Sequence, residues 1–365
     1  MEIDFSDIKT YLNNCADGRL KYRRQTGDYM TCTVIVGGFY GDEGKGKLIA
    51  YLAQKDKISI AVRGGVGPNA GHTFAFNGKK YKVRMLPSAG LNMNTKLFIG
   101  PGVLVDPAIL QSEIKAFDSQ DRTFIDPNCA IIEKKHVDKD SSLDHLAQKV
   151  GTTGTGTGPA NADRALRIAK IAKNIPELAV YLEDVSEAVN RALENNENVL
   201  AEGTQGTYLS LYHGNYPYVT SKDVTASAIC SDVGIGPKSV NEVLVVFKSY
   251  VTRVGQGPLN EELTSDETGN RGWQEFGSVT GRQRRAAPFD LALAKKAIKL
   301  NSASQLAVTK LDILYPECAG RKDYANLPNK AKQFIENIEN QTGKPVTLIG
   351  TGEDLNEVID RRDQI

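Results

Sequence analysis

From Thr33 onward, short runs of β-branched and aliphatic residues alternate with stretches whose apolar positions recur every three or four residues. Residues 33–36 form an unbroken run suited to a buried strand, 46–54 have helical spacing, and 58–62 form a second such run. A strand, a helix and a strand in close succession make a βαβ unit, and parallel strands need such crossovers. Residues 198–201, 242–251, 306–311 and 346–349 predict further buried strands, and 291–300 and 330–339 predict helices. The pattern specifies an α/β fold: a large, mostly parallel sheet with flanking helices and a P-loop-like phosphate loop after the first strand. With no internal repeat and no Pro- or Ser-rich linker, residues 31–365 read as one large domain. Residues 1–30 are polar, carry the basic stretch Arg19-Leu20-Lys21-Tyr22-Arg23-Arg24 and read as a peripheral N-terminal extension.

Charge narrows the range of partners. The 365 residues hold 45 Lys and Arg against 44 Asp and Glu. No global field attracts nucleic acid or an anionic membrane surface, so the expected ligands are small and any anion site is local. The five cysteines, Cys15, Cys32, Cys129, Cys230 and Cys318, are dispersed, with no Cys-x-x-Cys pair. Apolar runs fall short of the ~20 residues that span a bilayer. The start, with Glu2 and Asp4, is not a basic-then-apolar leader. A reduced, cytoplasmic protein is expected.

The most informative stretch follows the first strand: Gly37-Gly38-Phe39-Tyr40-Gly41-Asp42-Glu43-Gly44-Lys45-Gly46-Lys47. Glycines allow backbone N–H groups to converge on phosphate oxygens, and the next helix adds the positive end of its dipole. Gly41 to Lys47 satisfies the P-loop spacing G-x-x-x-x-G-K, but Leu48 stands where Ser or Thr would bind magnesium. An ordinary P-loop NTPase is disfavoured. A metal carboxylate has to come from elsewhere, with Asp42 and Glu43 as the candidates inside the loop.

Further segments share this character. They are Asn69-Ala70-Gly71-His72-Thr73, the Gly/Thr-rich loop from Gly151 to Pro159 with Arg167 beyond it, and Glu202-Gly203-Thr204-Gln205-Gly206-Thr207. After them come Tyr216-Pro217-Tyr218-Val219-Thr220-Ser221, Val279-Thr280-Gly281-Arg282-Gln283-Arg284-Arg285 and Thr309-Lys310-Leu311-Asp312. In type and order these segments resemble the active-site signatures of adenylosuccinate synthetases, over the chain from about residue 31 to its C-terminus. The compact spacing Gly64-Gly65-Val66-Gly67-Pro68-Asn69 is similar to archaeal-like members.

The resemblance implies a ligase that joins L-aspartate to C6 of a 6-oxopurine nucleotide at the expense of GTP or ATP, with Mg²⁺. It implies Asp42 as base and metal ligand, the Gly71 carbonyl as a second metal ligand, and His72, Lys45 and Gln205 as catalytic groups. Gly41, Glu43, Gly44, Gly46, Lys47, Lys310, Asp312 and Gly352 match triphosphate-binding positions. Asn69, Thr153, Arg167, Gln205 and Thr220 match contacts to the purine monophosphate, with Arg167 reaching across a homodimer. Val279, Thr280, Arg282 and Arg284 match the aspartate site, because guanidinium forks suit carboxylates.

Several positions depart from the usual pattern: Gln283, Gln256, Leu259-Asn260-Glu261, Ala286-Ala287-Pro288, and Glu353 beside the expected guanine pocket. They are similar to a viral branch that aminates dGMP toward 2-aminoadenine DNA, which often has Ser at the position of Asp42. Retained Asp42 favours IMP. Asp312 favours GTP over ATP, because a carboxylate accepts from guanine N1–H and its 2-amino group.

Overall fold

The computed structural model describes residues 32–365 apart from Ser278 and Thr280. The expected extension, residues 1–30, and the predicted aspartate contact Thr280 lie outside the described residues. The chain opens with β1 (Cys32–Gly37), α1 (Lys45–Lys55) and β2 (Ile58–Arg63). A hairpin follows, β3 (His72–Phe76) and β4 (Lys79–Val83), turned at Asn77 and Gly78, both at positive φ. An Asn-Gly pair suits that two-residue turn because both positions need the left-handed region.

Then come β5 (Lys96–Ile99), β6 (Leu104–Val105) and α2 (Pro107–Ala116), the helix capped by the Asp106 carboxylate. β7 (Thr123–Ile125), β8 (Ala130–Ile131), α3 (Lys134–Ser142) and α4 (Thr157–Leu166) lead to α5 (Val185–Glu194) and β9 (Asn198–Glu202). The rest comprises α6 (Ala226–Val233), β10 (Glu242–Lys248), β11 (Val251–Arg253), α7 (Ser265–Asn270), β12 (Arg285–Ala287) and α8 (Leu291–Asn301). It ends with β13 (Gln305–Thr309), α9 (Leu311–Leu314), α10 (Asn329–Thr342), β14 (Val346–Gly350) and β15 (Val358–Asp360).

Nine strands form one sheet in the order β15-β14-β13-β10-β1-β9-β2-β5-β7. All neighbours pair in parallel except β14 and β15. β1 sits near the middle, and its alternate residues feed different cores. Val34 and Val36 pack with residues of α5, α6, α8 and α10, such as Val189, Ile229, Ile298 and Ile335. Ile35 packs on the other face with Leu48, Ile49 and Leu52 of α1. Helices on both faces explain why these strands read as continuous apolar runs. β1, β2, β9, β10 and β13 all end at the same edge of the sheet, where ligands of open α/β folds bind.

Two predicted strands need correction. The run 242–251 is broken after Lys248, and β11 leaves the main sheet to pair antiparallel with β12. The run 306–311 ends at Thr309, because Lys310 adopts φ 59 and α9 begins at Leu311. Ser249 fixes both turns: its N–H donates to the Thr309 carbonyl (3.0 Å) and its hydroxyl to the Lys310 carbonyl (2.7 Å). Tyr250 and Leu311 remain buried on either side of the breaks, so hydrophobicity alone does not reveal them.

Candidate active site

The loop between β1 and α1 is braced from within by Glu43. Its Oε1 accepts from the N–H groups of Phe39 (3.0 Å) and Gly41 (2.8 Å), and its Oε2 pairs with Lys45 (2.9 Å). A Cβ on Gly37 would come within 2.3 Å of that carboxylate and 2.6 Å of the Gln205 carbonyl, so the approach requires glycine there. Lys45 also donates to the Gln205 carbonyl, joining the loop to the segment after β9. The Glu43 carboxylate therefore serves the loop and is not turned toward a triphosphate.

Lys47 is likewise occupied. Its ammonium donates to the carbonyls of Gly352 (2.6 Å) and Glu357 (2.8 Å), tying α1 to residues 350–357, and burial lowers its pKa to about 8. For an anion the loop offers its backbone. α1 starts after Gly44 (φ 84) without a side-chain cap, so the N–H groups at its first turn can meet phosphate oxygens.

A cavity of about 330 Å³ opens beside this loop. It brings together Gly41, Asp42, Lys45, Asn69, Gly71, His72, Thr153, Gln205, Thr220, Val279 and Arg282, all expected site residues. Gly44, Gly46, Lys310, Asp312 and Gly352 do not line it; the last three cluster where β13 and β14 end. Asp312 Oδ1 is buried there with no partner among the described residues, as a base-reading acceptor would be. Arg167 is exposed, caps the end of α4 at φ 64 and is absent from the cavity wall.

Two polar residues of the wall adopt the left-handed backbone region that L side chains seldom occupy, Asp42 (φ 60) and Gln205 (φ 49). Gln205 Oε1 is buried without a partner among the described residues. Asp42 is 27% exposed, and its Oδ2 lies 2.8 Å from Arg284, whose other terminal nitrogen pairs with Glu275. Arg284 thus touches the site through Asp42, while Arg282 donates to the carbonyls of Gly151 (2.8 Å) and Thr152 (3.4 Å). Asn69 Nδ2 reaches the Thr220 hydroxyl at 3.3 Å, and its own Oδ1 has no partner among the described residues.

His72 is set in a buried network. Its Nδ1 meets Glu202, Arg63 at 2.9 Å and the Ser88 hydroxyl at 3.4 Å. Burial, then the Arg63 charge, lowers its pKa to about 4 against the opposing pull of Glu202. Burial alone would raise the Glu202 carboxyl, but Arg63 and His72 hold it at about 2. No group of three or more His, Cys, Asp or Glu gathers to hold a metal among the described residues. One carboxylate (Asp42), one carbonyl (Gly71) and ligand phosphates form a donor set that suits Mg²⁺, which keeps few protein ligands.

Sequence reasoning missed one residue of the wall, Asp140, and others behind it. Asp140 accepts from the Thr152 hydroxyl (2.9 Å) and the Gly156 N–H (2.8 Å), and so fixes the Gly/Thr-rich loop. It sits in a polar helix among other acids, with no local signal to single it out. Glu275 and Arg63 also escaped notice. Glu202 was traceable, because it opens the motif that contains Gln205.

The family model for adenylosuccinate synthetase matches residues 34–175 and 167–319. The adenylosuccinate synthetase of Methanocaldococcus jannaschii is 55% identical over 339 residues, 92% of this chain and 98% of the relative. That of Methanosphaera stadtmanae is 49% identical over 338 residues, 92% of this chain and 99% of the relative. The solved structure of fully ligated adenylosuccinate synthetase from Plasmodium falciparum superposes with a TM-score of 0.84 at 27% identity, covering 92% of this chain and 100% of that one. A cyanophage succinoaminodeoxyadenylate synthetase bound to dGMP and dATP shares the fold, with a TM-score of 0.76 at 24% identity over 91% of this chain and 95% of that one.

Proposed function

The chain belongs to the adenylosuccinate synthetase family and is a ligase that forms a C–N bond, and from that premise we propose that it joins L-aspartate to C6 of IMP with GTP as phosphoryl donor. The products are adenylosuccinate, GDP and phosphate. The observation that carries this reading is the pairing on one cavity wall of Asp42 and Gln205, each held at positive φ, with His72 and Lys45 beside them.

The purine C6 oxygen is a poor leaving group until it is phosphorylated. Asp42 accepts the N1 proton, which pushes charge onto O6 for attack on the γ-phosphate, and the Gln205 amide nitrogen donates to O6. His72, Lys45 and the backbone at Gly41, Gly44 and Gly46 stabilise charge on the phosphates. The aspartate amine then expels phosphate from C6, its carboxylates meeting Arg282 and Arg284 beside Val279 and Thr280. Asp42 and the Gly71 carbonyl would hold Mg²⁺, which would neutralise charge on the phosphates.

Asn69, Thr153 and Thr220 receive the monophosphate. Lys310, Asp312 and Gly352 frame the guanine. Exposed Arg167, flanked by Leu166 (66% exposed) and Ile168 (64%), fits a homodimer in which it completes the partner's site. Residues 31–365 act as one catalytic unit in the cytoplasm. No helix of the described residues is long and apolar enough to cross a membrane.

One assay tests the reading: crossing IMP and dGMP with GTP and ATP, aspartate present, and following succino-product and phosphate together. IMP with GTP is expected to give the highest kcat/KM. The 2-amino group of guanine is a donor that, left unpaired, costs ~1–3 kcal/mol, or roughly five- to a hundred-and-fifty-fold in discrimination. A tenfold preference for dGMP would replace IMP with the viral-type substrate.

A further inference from the structure

Behind the cavity wall lies a buried charge cluster that the reaction scheme does not use. Lys248, the last residue of β10, is 1% exposed, and its ammonium donates to the Thr252 hydroxyl (2.6 Å) and to Glu275 Oε2 (2.7 Å). The Tyr250 hydroxyl donates to Glu275 Oε1, and Arg284 Nη1 donates to Oε2. Glu275 therefore gathers donors from β10, from the turn after it and from the arginine-rich segment. Buried charges are costly unless paired, and a fully satisfied network fixes its members in one arrangement. Lys248 and Arg284 hold the Glu275 carboxyl at about 2 against the upward push of burial.

The cluster also fastens the neck of the loop that carries Val279 and Arg282. The Arg284 N–H donates to the Glu275 carbonyl (2.8 Å), the Gly277 N–H donates to the Arg282 carbonyl (2.8 Å), and Phe276 bridges Gln283. Trp273 stacks on Tyr250 with ring centroids 4.5 Å apart, pinning the segment that enters the neck. Neither Lys248, Tyr250 nor Glu275 lines the cavity. Only Arg284 reaches a wall residue, through Nη2 to Asp42, and its Nε is buried without a partner among the described residues.

We propose that Glu275 is a positioning residue for amino-acid binding: anchored by Lys248 and Tyr250, it holds Nη1 of Arg284 and turns the Nε–Nη2 edge toward a carboxylate of the incoming aspartate. A carboxylate can be received bidentately along the Nε–Nη2 edge, where Nε has no partner among the described residues and Nη2, 2.8 Å from Asp42, keeps a second N–H to donate. Without Glu275 the arginine has one strong acceptor, Asp42, and settles fully onto the base. The inference rests on the assignment of this site to aspartate ligation.

The test is steady-state kinetics of the full chain carrying Glu275→Gln or Tyr250→Phe, with aspartate, IMP and GTP varied in turn. Losing one charge-assisted bond predicts an increase of about tenfold in the aspartate KM for Glu275→Gln, and about threefold for Tyr250→Phe. The KM values for IMP and GTP should stay within about twofold while kcat falls, because Arg284 settling onto Asp42 engages the base and leaves the monophosphate and triphosphate contacts in place. A merely structural role would lower the melting temperature and weaken all three substrates together, and that result overturns the proposal. An unchanged aspartate KM in both variants also overturns it. If Glu275→Gln does not fold, folded Tyr250→Phe decides alone by the same criterion. Wild-type protein with no aspartate-dependent turnover defeats the ligase assignment itself, whereas active wild type with flat aspartate KM values in the variants defeats only the role of Glu275.

Discussion

Asp140→Ala isolates the support of the Gly/Thr-rich loop from the chemistry it serves. Asp140 is 1% exposed, and its two oxygens hold the Thr152 hydroxyl and the Gly156 N–H. Gly151, Gly154 and Gly156 all adopt positive φ, so this backbone has little preference of its own and depends on outside restraint. A Cβ on Gly156 would meet the Val137 N–H nitrogen at 2.9 Å, which shows how closely the loop follows α3. Alanine leaves the buried Gly156 N–H without its acceptor, at a cost of ~1–3 kcal/mol, equivalent to roughly five- to a hundred-and-fifty-fold. Shared between folding and binding, this predicts an IMP KM raised by about tenfold. Asparagine is the control: its Oδ1 can accept from Gly156 while its amide donates to the Thr152 hydroxyl, so the IMP KM should rise by no more than about threefold. The GTP KM should not move in either variant, because Glu43 braces the phosphate loop independently. The assay is initial-rate phosphate release with IMP varied at saturating GTP and aspartate, alongside a thermal melt. Equal damage by Ala and Asn, or an unchanged IMP KM in a folded Ala variant, refutes the restraint argument.

Asp42→Asn should lower kcat by ~10²–10⁴-fold with a near wild-type melt, because one carboxylate serves as base and metal ligand; wild-type turnover would contradict both roles. Arg282→Leu should raise the aspartate KM and, to a smaller extent, the IMP KM, since the same guanidinium holds the Gly151 and Thr152 carbonyls. An IMP KM that stays flat would show that the second contact carries no energy. Stability should fall with acid in two stages, measurable as melting temperature from pH 8 to 3. His72, lowered from 6.5 to about 4, takes up a proton in the unfolded chain first, so folding is weakened as pH drops through that window. Glu202 and Glu275, held at about 2 from 4.5, contribute stability above 4.5 that is lost on further acidification toward 2. A melting temperature constant across this range would mean these groups are not held as the structure has them.

Local pattern revealed the opening β1-α1-β2 unit and the buried strands because their apolar runs are continuous and their helices periodic. It failed at Ser249 and Lys310, where a turn interrupts the sheet while burial continues on both sides. The glycines and charges of residues 37–47 marked an anion loop, but not which charges face inward. Glu43 and Lys47 find acceptors and donors within the protein, and Lys47 finds them some three hundred residues away in sequence. The resemblance supplied most of the wall residues. It could not supply Asp140 or Glu275, whose importance lies in the segments they hold and not in the residue types around them.

The place of β1 in the sheet also has a consequence for synthesis on the ribosome. Both of its neighbours come much later: β9 begins at Asn198 and β10 at Glu242. The carbonyl of Gln205 that accepts from Lys45, and the Glu202 carboxylate that holds His72, are made in the same late stretch. A nascent chain therefore exposes a glycine-rich loop on a strand with two open edges while more than half the protein is still untranslated, and pairing over such separations is slow. The loop's last backbone anchor, from the Gly38 N–H to the Val246 carbonyl, forms only once β10 has left the exit tunnel, so a shorter nascent chain carries the loop without it.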